Sequence, residues 1–441
     1  MKSPGFAVLA TACLVLCAAA TAFAAAPPNV VTLPNGLRVV LAPDSAALAV
    51  DVAVWYPAGT RAERAGAAGA AHLCERLMYR GSTSVPDGEH VRRLLAEGAT
   101  VNSQLSPDFA CYWQTVPTAV LASALQLEAS RMTGLAYGPE VFEAERRGAR
   151  NDLRALRERP VTTRALARLR ALLFEGHPYG RLPFGVDAEL ARLTARDLEA
   201  WRRGVYAPGG AVLTLVGNFD PAATLDYVKA VFGALPKGSV ASPAAPKAPA
   251  AGERRGWARE ETPARLLLAG WRVPPASDPD APALELLAQV LGGGEGSRLR
   301  RSMVEDWHTA VLAQAGVVPN RDASMFWTMA ALGANADSSI AENALLDQVA
   351  KLTREPVAAD EFERARTQLL TAEYLRLQTV RARAQALGEG LMFGGDAGSS
   401  ERRLAALEAL RPEDLMRVAQ RAFVPESRAI VWFVPQEEGS R

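Results

Sequence analysis

Hydrophobic positions along the chain follow two different periods, and their order predicts strands alternating with helices. Two β-branched runs flank the Pro-Asn-Gly turn at residues 34–36, a pattern typical of a β-hairpin that opens a sheet. Residues 89–98 have apolar side chains at helical spacing, and residues 99–116 return to the alternation of a strand, with a break at Pro107. Long helical stretches follow. The pattern therefore predicts an α+β fold in which helices cover one face of a sheet.

The same order of elements returns in the second part of the chain. Residues 194–217 predict a helix capped by Thr194, then a turn and a buried strand, and residues 407–435 repeat that phrase. The residues that match at one constant offset are Asp197 with Asp414, Leu198 with Leu415, and Tyr206 with Phe423. We infer an internal duplication of about 200 residues.

The duplication predicts two domains, at residues 27–236 and 259–437, each with a mainly antiparallel sheet covered by helices. Residues 237–258 lie between them and are rich in Pro, Ala, Ser and Gly, a composition typical of a linker.

Residues 1–24 have the layout of a secretory signal peptide. One lysine precedes an apolar run, and small residues lead to an A-x-A cleavage site that ends at Ala24. The alternative is a membrane anchor, but the apolar run is short for a span of about 20 residues and no basic flank follows it. We expect an exported protein without a membrane span after signal removal, located in the periplasm if the source is a Gram-negative bacterium.

Composition and charge narrow the choice of partners. The chain has 441 residues, of which 49% are hydrophobic and 22% charged, which is a globular composition. Its 49 Lys and Arg residues nearly cancel its 48 Asp and Glu residues, so no bulk charge attracts nucleic acid. Only Cys74 and Cys111 remain after signal removal. They form either one disulfide or two buried thiols, and their spacing does not decide between these.

A near match to a metal-binding motif lies in the segment GAAHLCERLMYRGST, at residues 69–83. His72 and Glu75 fit the pattern H-x-x-E-H, in which two histidines one helical turn apart bind zinc and the glutamate polarises a bound water. Arg76 stands where the second histidine belongs. Its guanidinium has no lone pair for a metal and keeps its positive charge.

Several phrases in one order resemble the pitrilysin/insulinase family of zinc peptidases, the inverzincins, which include the subunits of mitochondrial processing peptidase. They are NGLRVVL, VWYPAGTRAE, GAAHLCERLMYRGST, HPYGRLPFG, YAPGGAVLTLVGNFDP and LGGGEGSRL. The resemblance covers nearly the whole chain after the signal. It implies that the two duplicated domains face each other across a cleft.

The resemblance also implies positions for the site. The first zinc ligand falls on His72, the general base on Glu75, the second ligand on Arg76 and the third on Asp152, where the family has a glutamate. Because two of three ligand positions have changed, we expect vacant ligand positions, an inactive Glu75 and no metal cofactor. We hypothesise that the cation of Arg76 takes the electrostatic role of the metal and bridges Glu75 and Asp152.

Two further parts of the family's substrate site are altered. The arginine and tyrosine that bind substrate in the second domain fall on Val304 and Val311, neither of which has a side-chain hydrogen-bond donor. Arg301 and His308 have the same spacing and are the alternative pair. Asn102 and Ser103 fall on the edge strand that takes up a substrate peptide by strand addition.

We therefore expect a catalytically degenerate family member that acts as a non-catalytic or peptide-holding subunit, in a homodimer or heterodimer with an intact H-x-x-E-H homologue. One alternative is an active zinc-dependent endopeptidase that uses His72 and Asp152. The other is a peptide-binding scaffold without a peptidase partner. Among the remaining histidines, we predict a structural contact for His177 and a solvated position for His90.

Overall fold

The computed structural model describes residues 28–238 and 251–436. The predicted signal peptide at residues 1–24 and most of the predicted linker therefore lie outside the described residues. No helix in the described part of the chain is both long and apolar enough to cross a bilayer.

Eleven strands and fourteen α-helices make up the described chain. The strands are β1 (Asn29–Thr32), β2 (Arg38–Pro43), β3 (Ala49–Tyr56), β4 (Thr100–Leu105), β5 (Ala110–Pro117), β6 (Val212–Gly217), β7 (Arg254–Glu260), β8 (Leu266–Val273), β9 (Ala310–Val318), β10 (Ser324–Leu332) and β11 (Arg428–Pro435). The helices are α1 (Ala70–Leu77), α2 (Glu89–Ala96), α3 (Leu121–Thr133), α4 (Pro139–Ala155), α5 (Val161–Leu173), α6 (Asp187–Arg192), α7 (Ala195–Val205), α8 (Pro221–Phe232), α9 (Ala281–Gly292), α10 (Ser338–Arg354), α11 (Ala359–Arg376), α12 (Val380–Phe393), α13 (Ser399–Ala409) and α14 (Pro412–Ala422).

The strands form two sheets with matching topology. The first has six strands in the order β1-β2-β6-β3-β5-β4, and the second has five in the order β7-β11-β8-β10-β9. Strands β2 and β6 pair in parallel, as do β7 and β11, and the other pairs are antiparallel. The predicted fold class is confirmed: the second sheet repeats the first from β2 onward.

Local sequence signals explain several element ends. Gly36 has φ 87° in the turn between β1 and β2, a conformation that favours glycine. Thr194 caps α7, since its side chain accepts a hydrogen bond from the backbone N–H of Asp197.

The predicted linker boundary at residue 258 is wrong. Residues 254–258 belong to β7, which pairs in parallel with β11 at the edge of the second sheet. Composition misled the prediction because charged side chains, which are common on edge strands, stand on both sides of Gly256, Trp257 and Ala258 and leave no alternation of apolar and polar residues.

One helix from each half of the chain packs on the sheet of the other half. Helix α5 packs on β8 and β11, where Leu169 and Leu173 join a buried cluster with Leu268 and Val431. Helix α12 packs on β3 and β6, where its apolar side chains contact the cluster around Trp55. Helices from both halves therefore cover each sheet, and neither half has a complete core by itself.

A polar link also joins the two halves. The Arg61 Nε donates to Asp322 Oδ2 at 2.6 Å, and the Tyr179 hydroxyl donates to Asp108 Oδ1 at 2.6 Å while accepting the backbone N–H of Asp322 at 3.0 Å. His177 lies beside this link, and its Nδ1 accepts the backbone N–H of Tyr179 at 3.1 Å. The side chain of His177 thus has the structural role that we predicted.

Candidate functional site

Helix α1 carries the motif residues, and a buried carboxylate holds its first turn. Glu63 Oε1 accepts the backbone N–H groups of Gly69 and Ala71, both at 2.9 Å. This satisfies amides that have no partner within the helix. Burial, partly opposed by these hydrogen bonds, raises the pKa of Glu63 to about 7. The start of α1 is therefore fixed by a side chain that precedes the motif.

Helix α4 places its residues opposite α1. Glu145, Gly148 and Asp152 lie three and four positions apart and share one face of the helix. His72 contacts this face, with its Nε2 2.9 Å from Asp152 Oδ2. The other ring nitrogen, Nδ1, lies 3.3 Å from Glu75 Oε2. The fold thus brings together three of the predicted site residues.

Arg76 lies between two carboxylates of α4. Its Nε donates to Glu145 Oε2 at 2.7 Å, and its Nη1 donates to Asp152 Oδ2 at 2.8 Å. Glu145 is nearly buried, with 5% of its side chain exposed, and it also accepts from Arg80 Nε at 2.8 Å. The predicted cation bridge exists, but Glu145 is its second carboxylate and the expected Glu75 is not. The register of α1 explains this, because Arg76 faces α4 while Glu75 faces β4.

Glu75 is held from the edge strand β4. The Ser103 hydroxyl donates to Glu75 Oε1 at 2.8 Å. Glu75 therefore has one oxygen toward His72 and the other toward the strand on which we predict peptide uptake. The His72 ring and the Ser103 hydroxyl thus lie beside the two oxygens of Glu75.

Gly148 is a site residue that sequence reasoning missed. A Cβ atom at this position would lie 2.7 Å from Cζ of Arg76 and closer still to Nη2. The guanidinium therefore lies directly over the backbone of α4, in space that any side chain would fill. A glycine inside a helix costs about 1 kcal/mol of helix stability relative to alanine. A glycine within the predicted helix was therefore the one sequence signal that this position has a special role.

The residues present do not fit a zinc ion. A peptidase zinc takes three protein ligands and an open position, and here a guanidinium stands at the second ligand position. Asp152 Oδ2, the atom at the third ligand position that lies beside His72, already accepts a hydrogen bond from Arg76. Within residues 28–238 and 251–436, no group of three or more His, Cys, Asp or Glu side chains is arranged to hold a metal ion.

The positions of the family's arginine and tyrosine lie around a π-helical turn at Arg300–Asp306. Val304 is partly buried against the core of the C-terminal half, whereas Val311 is 66% exposed. Arg301 and His308, the alternative pair, are both exposed. The imidazole of His308 is tied to its own loop, because its Nδ1 donates to the carbonyl of Val304 at 2.9 Å.

The predicted peptide-binding strand is an edge strand. Strand β4 is last in the order of the first sheet, and among the described strands it pairs with β5 alone. Asn102 is exposed, and its Oδ1 accepts the backbone N–H of Ser103 at 2.8 Å. Peptide uptake at Asn102 and Ser103 remains a prediction.

Both cysteines of the described chain and His90 are buried. Cys74 and Cys111 are buried free thiols. The prediction for His90 is wrong, because this residue is only 2% exposed and burial lowers its pKa to about 2. Arginines next to His90 on α2 are exposed, which made the whole helix look solvated from its sequence.

Two family models match successive parts of the chain. The family model described as Insulinase (Peptidase family M16) matches residues 38–183, and the model described as Peptidase M16 inactive domain matches residues 192–369. The chain belongs to the M16 peptidase family. The first model contains the α1 and α4 site, and the second covers most of the duplicated half.

Full-length relatives in this family carry peptidase names. The chain is 23% identical over 410 residues to the zinc protease PqqE of Helicobacter pylori, covering 92% of both chains. It is 24% identical over 417 residues to a probable mitochondrial-processing peptidase subunit beta of Arabidopsis thaliana, covering 91% of this chain and 77% of the relative.

Solved structures show the same fold. A protease from Helicobacter pylori superposes with a TM-score of 0.87 at 23% identity, over 93% of this chain and 100% of the other. The periplasmic protease PqqL of Escherichia coli superposes with a TM-score of 0.77 at 18% identity, over 93% of this chain and 48% of PqqL. The chain therefore has the fold of these M16 peptidase structures.

Proposed function

We propose that this protein is an exported, catalytically inactive M16 homologue that serves as a non-catalytic or peptide-holding subunit beside an intact M16 zinc peptidase. One observation carries the proposal: the guanidinium of Arg76 lies between Glu145 and Asp152, at the position where the family has a metal-binding histidine. A fixed cation there repels a zinc ion and occupies the carboxylate that would bind it.

The substrate-binding positions support the same proposal. Valines at positions 304 and 311 have no side-chain donor to hold a peptide carbonyl. In contrast, the free edge of β4 offers backbone hydrogen bonds, which do not depend on side-chain identity. Peptide holding is therefore compatible with the loss of cleavage.

The partner we propose is a second M16 subunit, either another copy of this chain or an intact H-x-x-E-H homologue. The M16 relatives include a protein named as a beta subunit, and the fold is that of M16 peptidases. For location we propose export, to the periplasm in a Gram-negative source, with the predicted signal peptide and the periplasmic neighbour PqqL as support.

An active zinc endopeptidase is the second candidate. The contact between His72 and Asp152 at 2.9 Å favours it, because two potential ligands already lie side by side. This candidate requires Arg76 to leave both of its carboxylates.

Zinc content and peptide cleavage separate the two candidates. We expect the purified chain to hold no stoichiometric zinc and to leave unstructured peptides intact, with or without Glu75→Gln. One tightly bound zinc per chain, together with cleavage that both a chelator and Glu75→Gln abolish, would disprove the proposal.

Restoring the ligands tests whether Arg76 is the cause of the loss. Combined Arg76→His and Asp152→Glu should bind about one zinc per chain, because three ligands and an open position are then available. Arg80→His is the matched control: it makes the same exchange four residues further along the chain, just beyond the end of α1, and removes a partner of the same carboxylate, Glu145. Zinc binding by the control alone would show that the position of Arg76 is not decisive.

Purification from the native host tests the subunit role. Recovery of a stoichiometric complex with an intact homologue supports it. An isolated monomer that still binds unstructured peptides would favour the third reading, a scaffold without a peptidase partner.

A further inference from the structure

A cavity of about 750 Å³ lies in the C-terminal half, remote in sequence from the α1 and α4 site. Helices α9, α11, α12 and α13 line it, and we call it the α12 cavity. Its volume falls within the range of about 300–1,000 Å³ that is typical of small-molecule sites. Neither the peptidase chemistry nor the proposed subunit role uses it.

Small and apolar residues leave the space open. Pro282 of α9, Ala386 and Phe393 of α12 and Ala406 of α13 form much of the wall. Alanine side chains at facing positions of neighbouring helices do not fill the gap between them. An apolar ligand body would find hydrophobic contacts there.

The guanidinium groups of the cavity are already neutralised. Arg403 pairs with Glu285 at 2.7 Å and with Glu373 at 3.1 Å, and Arg376 pairs with Glu373 at 2.7 Å. Arg402 pairs with Asp396. An anionic ligand would have to break one of these pairs to obtain a cation.

One carboxylate is left over. Glu389 of α12 lines the cavity and accepts one hydrogen bond, from Gln385 Nε2 at 2.8 Å. It has no salt-bridge partner within 4.0 Å among the residues that the structure describes. Arg376 and Arg381 act on Glu389 only through space, and a partly desolvated carboxylate without a direct cationic contact gains from a positively charged ligand group.

We propose that the α12 cavity binds an organic cation with an apolar body, whose amine or guanidine pairs with Glu389 while the body packs against Phe393, Pro282 and Ala406. A carboxylate or phosphate ligand is disfavoured because Arg376, Arg402 and Arg403 already pair with carboxylates of the protein. The apolar wall disfavours a bare metal ion.

The position of the cavity gives such a ligand a structural effect. Helix α12 packs on the first sheet with one face and borders the cavity with another. A ligand would therefore strengthen the contact between α12 and the rest of its own half. Because binding to the folded state alone stabilises that state, the melting temperature should rise with ligand concentration.

Three probes with the same phenylbutyl body test the charge preference: 4-phenylbutylamine, 4-phenylbutanol and 5-phenylpentanoate. Calorimetric titration should give saturable binding of the amine with a Kd of about 1 mM or tighter, and weaker binding of the alcohol and the acid by about tenfold or more. Equal affinity for the three probes, or no binding of the amine, would overturn the proposal.

Three variants locate the binding. Glu389→Gln keeps the shape and removes the charge, so amine affinity should fall about tenfold. Ala406→Phe places a ring in the part of the cavity where the apolar body should pack and should lower amine affinity about tenfold or more. Glu401→Gln is the matched control, since Glu401 is an exposed residue of α13 that does not line the cavity. Unchanged affinity in Glu389→Gln, or an equal loss in the control, would refute the assigned site.

Discussion

The guanidinium of Arg76 lies over the backbone of α4 only because residue 148 is a glycine. Gly148→Ala places a methyl carbon 2.7 Å from Cζ of Arg76, well inside van der Waals contact. To make room, the guanidinium has to shift away from α4, and we expect this shift to lengthen its hydrogen bonds of 2.7 and 2.8 Å to Glu145 and Asp152. The substitution should therefore separate Arg76 from its carboxylates.

Two effects of opposite sign set the change that Gly148→Ala makes in the free energy of unfolding. Alanine in a helix interior is favoured over glycine by about 1 kcal/mol. Loss of the Arg76 pairs costs less than a fully buried pair would, because the side chains of Arg76 and Asp152 are 31% and 38% exposed and Glu145 keeps Arg80. We take this loss as about 2 kcal/mol. The net expectation is a free energy of unfolding lower by about 1 kcal/mol.

A double-mutant cycle isolates the contact. In an Arg76→Ala background no guanidinium meets the new methyl group, so Gly148→Ala should raise the free energy of unfolding by about 1 kcal/mol. The predicted coupling is about 2 kcal/mol, measured by urea-induced unfolding of the four proteins. Gly204→Ala in α7 is the control for helix propensity, because a Cβ there has no neighbour within 4 Å.

If Gly148→Ala stabilises the protein equally in both backgrounds, Arg76 does not lie over α4 in solution. The second ligand position would then be free of the guanidinium, and the main observation that argues against zinc binding would no longer hold.

Three further changes test how the halves pack, each by urea-induced unfolding. Gly388→Ala places a methyl carbon 2.5 Å from Cζ2 of Trp55, a fully buried ring. We therefore expect the free energy of unfolding to fall by about 1–3 kcal/mol. A rise equal to that of the Gly204→Ala control would contradict this overpacking. Burial raises the pKa of Asp51 from 3.8 to about 6, so the folded state holds this proton more tightly; its contribution to stability is full below pH 3.8 and is lost as the pH rises through about 6. Asp51→Asn should remove this decline, and an unchanged slope would assign it to other groups. Tyr179→Phe leaves Asp108 without its 2.6 Å donor and should cost about 1–3 kcal/mol, whereas a loss below about 0.5 kcal/mol would show that the polar link contributes little.

Much of the site followed from local sequence. The spacing of His72, Glu75 and Arg76 fixes their order on one helix, because helical periodicity depends only on neighbours along the chain. Asp152 was placed by the resemblance, and its contact with His72 agrees with that placement. The chemistry of arginine alone excluded a metal ligand at position 76.

The partners of Arg76 depended on tertiary structure. Glu145 and Glu75 are both carboxylates within reach of a long side chain, and the sequence offers no reason to prefer either. The packing of α1 against α4 turns Arg76 toward Glu145 and leaves Glu75 to Ser103. The importance of Gly148 follows from the same packing, since an empty Cβ position matters only when another chain segment fills it.

The strand and helix order, the duplication and the loss of a histidine ligand could be predicted from the sequence, because periodicity, internal repeats and side-chain chemistry can be read along the chain. The tertiary structure alone decided that α5 and α12 are exchanged between the halves, that Arg76 bridges two carboxylates of α4, and that a cavity remains beside α12. These features depend on which faces meet across long separations in sequence. An amphipathic pattern states that a helix buries one face, but it does not state against which sheet.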